Sequence, residues 1–217
     1  MIDSLFPEDV VTAWADPAHP AKPLFPEEEA LVARAVPKRQ QEFAKGRECA
    51  RTALARLGLL DVVLLSGKSR EPLWPIEAVG SITHTAGLCA VAVARSERYA
   101  GLGIDAEPAE PLAEHLARRI GADCDWEALA EASALARSIV PRLVFSVKEA
   151  VYKCVFPLTR TFLGFEDVSV ELEGGSFRAS LEVTAAPLRP GDALIGRWVR
   201  FGDHLVTSAW IDRPDTR

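Results

Sequence analysis

The stretch Val168-Ser-Val-Glu-Leu-Glu-Gly-Gly-Ser-Phe-Arg-Ala-Ser-Leu-Glu-Val183 decides the fold class. Val168, Val170 and Leu172 alternate with polar residues, and beyond Gly174-Gly175 the apolar set Phe177, Ala179, Leu181 and Val183 alternates again. Side chains in a strand change face at every residue, so each run has one face to bury. The glycine pair between the two runs reads as a hairpin turn. A further hairpin is expected from 198–201 and 205–211, joined by Gly202-Asp203. Hairpins that follow one another after a helical region predict an α+β fold with antiparallel sheets, rather than a parallel α/β sheet.

Working upstream, residues 142–156 read as a helix that stops before Pro157, and residues 112–136 are Ala-rich and helical. Gly101-Leu-Gly-Ile-Asp-Ala-Glu-Pro108 reads as a short strand ended by its proline. Residues 88–94 form an apolar run of strand length, led in by a Gly/Ser/Thr/His turn from residue 80, and 67–75 reads as a loop. A helix starts at Pro26, with Glu27 to Glu29 near its positive end, and Pro37 opens a second that runs to Leu57 before Gly58. The first 25 residues, rich in Pro and Asp, read as irregular.

The chain has 217 residues, of which 48% are hydrophobic and 26% charged, with a formal net charge of −6. This is ordinary globular composition, and the length suits one large domain or two packed halves. The acidic balance argues against a protein that coats nucleic acid, without excluding a local basic pocket. Cys49, Cys89, Cys124 and Cys154 form no CxxC motif, so reduced thiols in a cytoplasmic protein are expected. The first residues lack a basic region before an apolar one, and no run is long and apolar enough to span a bilayer. The expectation is a cytoplasmic protein that engages neither membrane nor nucleic acid.

Four stretches carry chemistry. Asp105 and Glu107 stand at i and i+2 of a strand, so both carboxylates share a face. They are either two solvated acids at a strand end or a pair that recruits a cation. In Phe145-Ser-Val-Lys-Glu-Ala-Val-Tyr-Lys-Cys-Val-Phe156, Val144, Val147, Val151, Cys154 and Val155 form one apolar face. Phe145, Tyr152 and Phe156 lie nearly opposite, with Glu149 among them. An acid among aromatics needs a partner, either Lys153 at i+4 or a metal. On the helix over 38–57 the apolar stripe is Phe43, Ala50, Leu54 and Leu57, with Arg47 at its edge and Arg51 just beyond, while Lys45 and Arg56 point away. Two arginines on the buried side either bind an anion or cover apolar surface with their stems. Finally, Gly80-Ser-Ile-Thr-His84-Thr-Ala-Gly87 combines glycines, hydroxyls and a histidine, and Lys68 and Arg70 sit in the loop before it. Three acids suited to a hard cation, bases suited to phosphates, and a His and a Lys suit a metal-dependent transferase using a phosphate-rich cosubstrate.

On these residues the sequence resembles the 4′-phosphopantetheinyl transferases, in the surfactin-type branch that includes enterobactin synthase component D and actinobacterial members. The resemblance is carried, in order, by Phe43-Ala-Lys-Gly-Arg-Glu-Cys-Ala-Arg51, then Arg70-Glu-Pro-Leu-Trp-Pro75 with Gly80-Ser-Ile-Thr-His84. Gly103-Ile-Asp-Ala-Glu107 and Phe145-Ser-Val-Lys-Glu-Ala-Val-Tyr-Lys153 complete it. It implies a pseudo-dimer of two α/β halves, 1–100 on the nucleotide side and 101–217 carrying the acids, acting as a monomer. The implied reaction moves phosphopantetheine from coenzyme A to a serine of an apo acyl or peptidyl carrier protein and releases 3′,5′-ADP. Asp105, Glu107 and Glu149 match the ligands of Mg²⁺, with Mn²⁺ as the alternative ion. Glu149, Lys153 and His84 match catalytic positions. Arg47, Arg51, Arg70, Thr83, His84 and Lys153 match coenzyme A contacts. Thr83 stands where serine is commoner, and Ala106 offers the metal site only its backbone. Competing readings are a hydrolase of coenzyme A or nucleotide diphosphates, and a coenzyme A-binding homologue without transfer.

Overall fold

The structure is a computed structural model that describes residues 1–121 and 124–214. Its strands are β1 (Val11–Ala15), β2 (Ala78–Thr85), β3 (Leu88–Arg95), β4 (Tyr99–Pro108), β5 (Val168–Glu173), β6 (Ser176–Leu181), β7 (Ala193–Phe201) and β8 (His204–Asp212). Its helices are α1 (Pro26–Val32), α2 (Pro37–Arg56), α3 (Glu114–Ile120), α4 (Trp126–Ser133) and α5 (Val140–Thr159). All strand pairing is antiparallel, in one sheet ordered β1-β3-β2 and another ordered β4-β8-β7-β6-β5. The expected α+β class holds, and the β5–β6 hairpin turns at Gly174, whose φ is +55°.

Four expectations are corrected. Residues 78–85 are a strand rather than a turn, paired with β3 from Ala78↔Arg95 to Thr85↔Leu88. The first 25 residues are not all irregular, because β1 adds to the other side of β3. The helical stretch 112–136 is two short helices, the second capped by the Asp125 carboxylate, which accepts from the N–H groups of Glu127 and Ala128. Residues 122 and 123 of that stretch lie outside the described residues. Pro157 does not stop α5, which runs on to Thr159 and is capped by Arg160 in a left-handed conformation. At Pro157 the helix lacks only one donor near its end, while Val155 and Phe156 beside it are buried.

The apolar run in β3 is explained by burial on both faces. Cys89, Val91 and Val93 pack under α2 with Ala50, Ala53 and Leu54. Ala90, Ala92 and Ala94 face the core between the sheets, with Leu102, Ile104, Val206 and the N-terminal Ile2, Leu5 and Phe6. α5 covers the larger sheet through Leu143, Val147, Val151 and Val155.

The two sheets meet edge to edge at β2 and β4, which share no backbone ladder. Hydroxyls take its place. The N–H of Ile104 donates to Ser81 Oγ at 3.1 Å and that of Ala106 to Thr83 Oγ1 at 3.2 Å. An edge strand has a row of unpaired N–H groups, and here the i, i+2 hydroxyls of β2 satisfy two of them inside the protein. α5 sits unusually close to β4. A Cβ on Gly101 would lie 2.4 Å from the Cys154 carbonyl oxygen, and one on Gly103 would lie 1.8 Å from that of Ala150. These glycines bring the helix down so that Glu149 and Lys153 reach the seam. Gly103→Ala is therefore expected to lower stability by about 1–3 kcal/mol and to reduce activity through displacement of α5. Urea denaturation checks it; an unchanged midpoint contradicts the close approach.

Candidate functional site

Asp105 is the centre of the seam. It keeps only 5% of its surface exposed, so it is not the solvated strand-end acid that the sequence left open. Lys153 Nζ donates to its Oδ1 at 2.6 Å, Thr83 Oγ1 to the same oxygen at 3.2 Å, and Ser146 Oγ to Oδ2 at 2.8 Å. Thr207 Oγ1 donates to the Ser146 carbonyl at 2.9 Å and ties this network to β8. Elements from both sheets and α5 thus converge on one buried carboxylate. A buried charge is tolerable only when paired and hydrogen-bonded in this way.

Glu107 is held by Arg142 NH1 at 2.8 Å. Burial lifts its pKa above the usual carboxylate range, and the charge of Asp105 adds to this against the pull of Arg142 and Lys153. Glu149 is half-buried and also shifted upward. Burial is the main cause; Lys153 opposes it and Asp105 reinforces it. Glu107 and Glu149 therefore each feel the charge of Asp105. Among the described residues, no three His, Cys, Asp or Glu side chains are gathered so as to hold a metal by themselves.

Two cavities adjoin this centre. The smaller, about 210 Å³, is lined by Glu149, Lys153, Tyr152 and Phe156 of α5, by Ser81 and Ile82 of β2, and by the loop at Arg70 and Glu71. The larger, about 520 Å³, contains Arg39, Glu42, Gly46 and Arg47 of α2, Ser66 and Arg70 of the loop, and His84 of β2. Arg70, Pro72 and Ile82 line both, so the two cavities adjoin along the first sheet's edge toward α5. A hollow of about 640 Å³ between α3, α4 and β5 contains none of the candidate residues.

In the larger cavity Arg47 is buried. Its guanidinium donates to the Leu64 carbonyl at 2.7 Å and to Ser66 Oγ at 3.0 Å, and lies 4.1 Å from the Phe43 ring centre. Burial pulls its pKa down to about 10, so it keeps its charge at neutral pH. His84 stands at the rim, where Arg39 donates to its Nε2. An arginine has no acceptor, so that nitrogen carries no proton. Partial burial and the Arg39 cation both lower the His84 pKa, which favours the neutral ring.

Of the residues singled out in the sequence, Lys153 pairs with Asp105 and lines the smaller cavity with Glu149, while Glu107 is held by Arg142. Arg47 and His84 line the larger cavity, and Arg70 lines both. Arg51 belongs to neither cavity: it pairs with the fully buried Glu28 at 2.8 Å and donates to the Pro23 carbonyl. Thr83 is buried and its hydroxyl is saturated, donating to Asp105 while accepting from Ala106 and Lys153. It has no capacity left for a nucleotide. His84 lies in a different cavity from Glu149, apart from the acids. Lys45 does not point to solvent; it is buried and donates to the Pro20 carbonyl and to Glu48. Residues that the sequence reading missed are Arg39, Ser146 and Lys148. Lys148 is buried beside Glu149 and donates to the carbonyls of Ile120 and Phe165. Arg39 carried a signal, since it lies near the Arg47 side of the same helix.

Comparison with known proteins accounts for this arrangement. Residues 27–94 match the family described as the 4′-phosphopantetheinyl transferase N-terminal domain, and residues 101–194 match the 4′-phosphopantetheinyl transferase superfamily. The 4′-phosphopantetheinyl transferase Svp of Streptomyces mobaraensis is 44% identical, over 99% of this chain and 90% of that protein. PptT of Mycobacterium tuberculosis is 37% identical, over 88% of this chain and 87% of its own length. Enterobactin synthase component D of Escherichia coli K12 is 35% identical, over 61% of this chain and 62% of its own. Enzymes of this family use coenzyme A as the donor. The chain belongs to the 4′-phosphopantetheinyl transferase superfamily and is an enzyme that transfers 4′-phosphopantetheine to carrier proteins.

Proposed function

We propose that coenzyme A lies along the joined cavities, its 3′-phosphate at Arg39, Arg47 and His84 and its pyrophosphate at Lys153. The wall of Arg70, Pro72 and Ile82 that the two adjoining cavities share carries this reading. One end is rich in cations, which suits phosphate, and the other combines acids with a lysine. In this arrangement residues 1–100 hold the nucleotide and residues 101–217 supply the acids. His84 serves binding rather than proton transfer, because it lines the cavity of Arg39 and Arg47 and not the one that holds Glu149 and Lys153.

The acids suit Mg²⁺, or Mn²⁺, held by Asp105, Glu107 and Glu149. Mg²⁺ is usually bound through one or two carboxylates, with waters and substrate phosphates completing its shell. Three carboxylates offer the hard oxygen donors that this ion takes. When bound, the ion would offset charge on the pyrophosphate. The protein's own groups do the rest. Glu149 takes the proton of the carrier serine, and a pKa raised toward neutrality makes it a better base. The serine oxygen bonds to the phosphorus that bears pantetheine, and the bond from that phosphorus to the leaving 3′,5′-ADP oxygen breaks. Lys153 neutralises the leaving phosphate. The hydroxyls of Thr83 and Ser146 hold Asp105 in place throughout.

Both walls of the groove come from one chain, which supports a monomeric enzyme. Among the described residues, no helix is long and apolar enough to cross a membrane, and we place the enzyme in the cytoplasm. Carrier proteins of fatty-acid, polyketide and non-ribosomal peptide synthesis are all candidate acceptors. The enterobactin synthase relatives point to siderophore assembly among them.

Arg39→Ala is expected to raise the KM for coenzyme A about tenfold, the loss of one hydrogen bond to a charged group. It should alter that for dephospho-coenzyme A much less; equal effects remove Arg39 from the 3′-phosphate. Asp105→Asn keeps the shape of the buried network but removes its charge. It should cut transfer at least about a hundredfold, the scale of losing an electrostatic contact at the reacting group. It should also abolish Mg²⁺-dependent heat of coenzyme A binding in calorimetry while leaving far-ultraviolet circular dichroism unchanged. Retained Mg²⁺ dependence contradicts the metal assignment.

A further inference from the structure

The loop over 66–72 bridges both cavities and is fastened from the far side of the cleft. Ser66 pairs with Pro72 as an isolated bridge, and the N–H of Gly67 donates to the Glu71 carbonyl at 2.8 Å. The Glu71 carboxylate folds back over this turn and accepts from the Ser69 N–H at 3.0 Å. A Cβ on Gly67 would lie 2.2 Å from that carboxylate, so glycine leaves the room it occupies. At its start the loop offers Ser66 to Arg47, and at its tip Arg70 lines both cavities with a φ of +68°. From the other half, Arg160 donates to Glu71. Among the described residues this is the one ion pair joining 1–100 to 101–217.

Arg160 caps α5 with φ +56°, a conformation that glycine adopts without strain. Its N–H closes the cap on the Phe156 carbonyl at 2.8 Å, and its guanidinium lies 5.8 Å from the Phe156 ring centre. The cap itself needs no side chain, so the arginine is explained by what its guanidinium reaches. Glu71 and Phe156 both line the smaller cavity, so the two residues that Arg160 touches belong to its wall.

We infer that Glu71 and Arg160 form a latch that holds the 66–72 loop, and with it Arg70 and Ser66, in register over the coenzyme A groove. They are positioning residues for the bound donor and act through Arg70 and Arg47. The inference rests on the coenzyme A reading given above. Exposed ion pairs contribute little to global stability, so the latch acts on one loop rather than on the fold.

The test uses Glu71→Gln, Arg160→Gln and the double variant Glu71→Gln/Arg160→Gln. Hydrogen exchange of the protein without ligand is expected to quicken in 66–72 in each single variant and no further in the double variant, because either change alone breaks the pair. Calorimetry with coenzyme A should show weaker binding by about fivefold in each single variant, the scale of one exposed ion pair. The KM for coenzyme A should rise in step, with kcat nearly unchanged and no further rise in the double variant; additive losses overturn the latch. Unaltered exchange in 66–72 overturns the latch whatever the ligand proves to be. An effect of Arg160→Gln with none from Glu71→Gln also overturns it, because Arg160 would then touch the donor itself. A wild-type protein that fails to bind coenzyme A, with loop exchange behaving as expected, overturns the coenzyme A reading and the latch's role in donor binding.

Discussion

The joint between β2 and β4 governs everything else in this molecule. Two sheet edges meet there without a backbone ladder, and the hydroxyls of Ser81 and Thr83 accept the N–H groups of Ile104 and Ala106 instead. A side-chain joint holds the strands farther apart than a ladder would, and the groove opens along β2 beside it. It also fixes the register between the two sheets. Thr83 can accept from Ala106 only when Asp105, one residue earlier, is beside the same hydroxyl. From there Ser146 and Lys153 of α5 reach Asp105 because Gly101 and Gly103 let the helix backbone touch the strand. The place of Asp105 and Lys153 beside the smaller cavity is thus a consequence of two hydroxyls and two glycines.

Electrostatics follow from that geometry. Asp105 is buried with three donors, and its charge is felt by Glu107 and Glu149, both pushed toward their neutral forms. Lys153 and Arg142 offset part of this negative charge. A site built this way favours a further cation and phosphate together, since the cation relieves the acids and the phosphate engages the lysine. At the opposite end the balance reverses. Arg39 and Arg47 face one cavity with Glu42 as the single acid among its lining residues, and the neutral His84 adds no repulsion. The groove is therefore polarised along its length, which orients an asymmetric phosphate ligand.

How much of this was legible in the sequence depended on whether a residue's role is local. Alternation over 168–181 depends only on the strand's own period, and the β5–β6 hairpin appeared as read. Asp105 and Lys153 were singled out by order and spacing, and they form an ion pair at the seam. β2 was misread because Gly80, Ser81, Thr83 and His84 have turn-like composition. Their reasons are tertiary: a Cβ on Gly80 would strike the Trp74 ring at 2.7 Å, and the hydroxyls belong to the seam. Arg51 was misplaced because a helical wheel gives direction and not partner. Glu28, with two backbone N–H groups and Arg51, forms a buried structural cluster that no local pattern announces. Lys45 was misread for the same reason, since the chain before α1 folds back over it.

The central claim is that one chain carries a complete groove for moving phosphopantetheine to a carrier serine. The most direct measurement is the intact mass of apo carrier proteins after incubation with this protein, coenzyme A and Mg²⁺. Parallel samples contain EDTA or a carrier whose serine is replaced by alanine. The account predicts the gain of one phosphopantetheine in the first sample and none in the other two. No gain on fatty-acid, polyketide and peptide carriers alike, while coenzyme A binding is measurable, would contradict it.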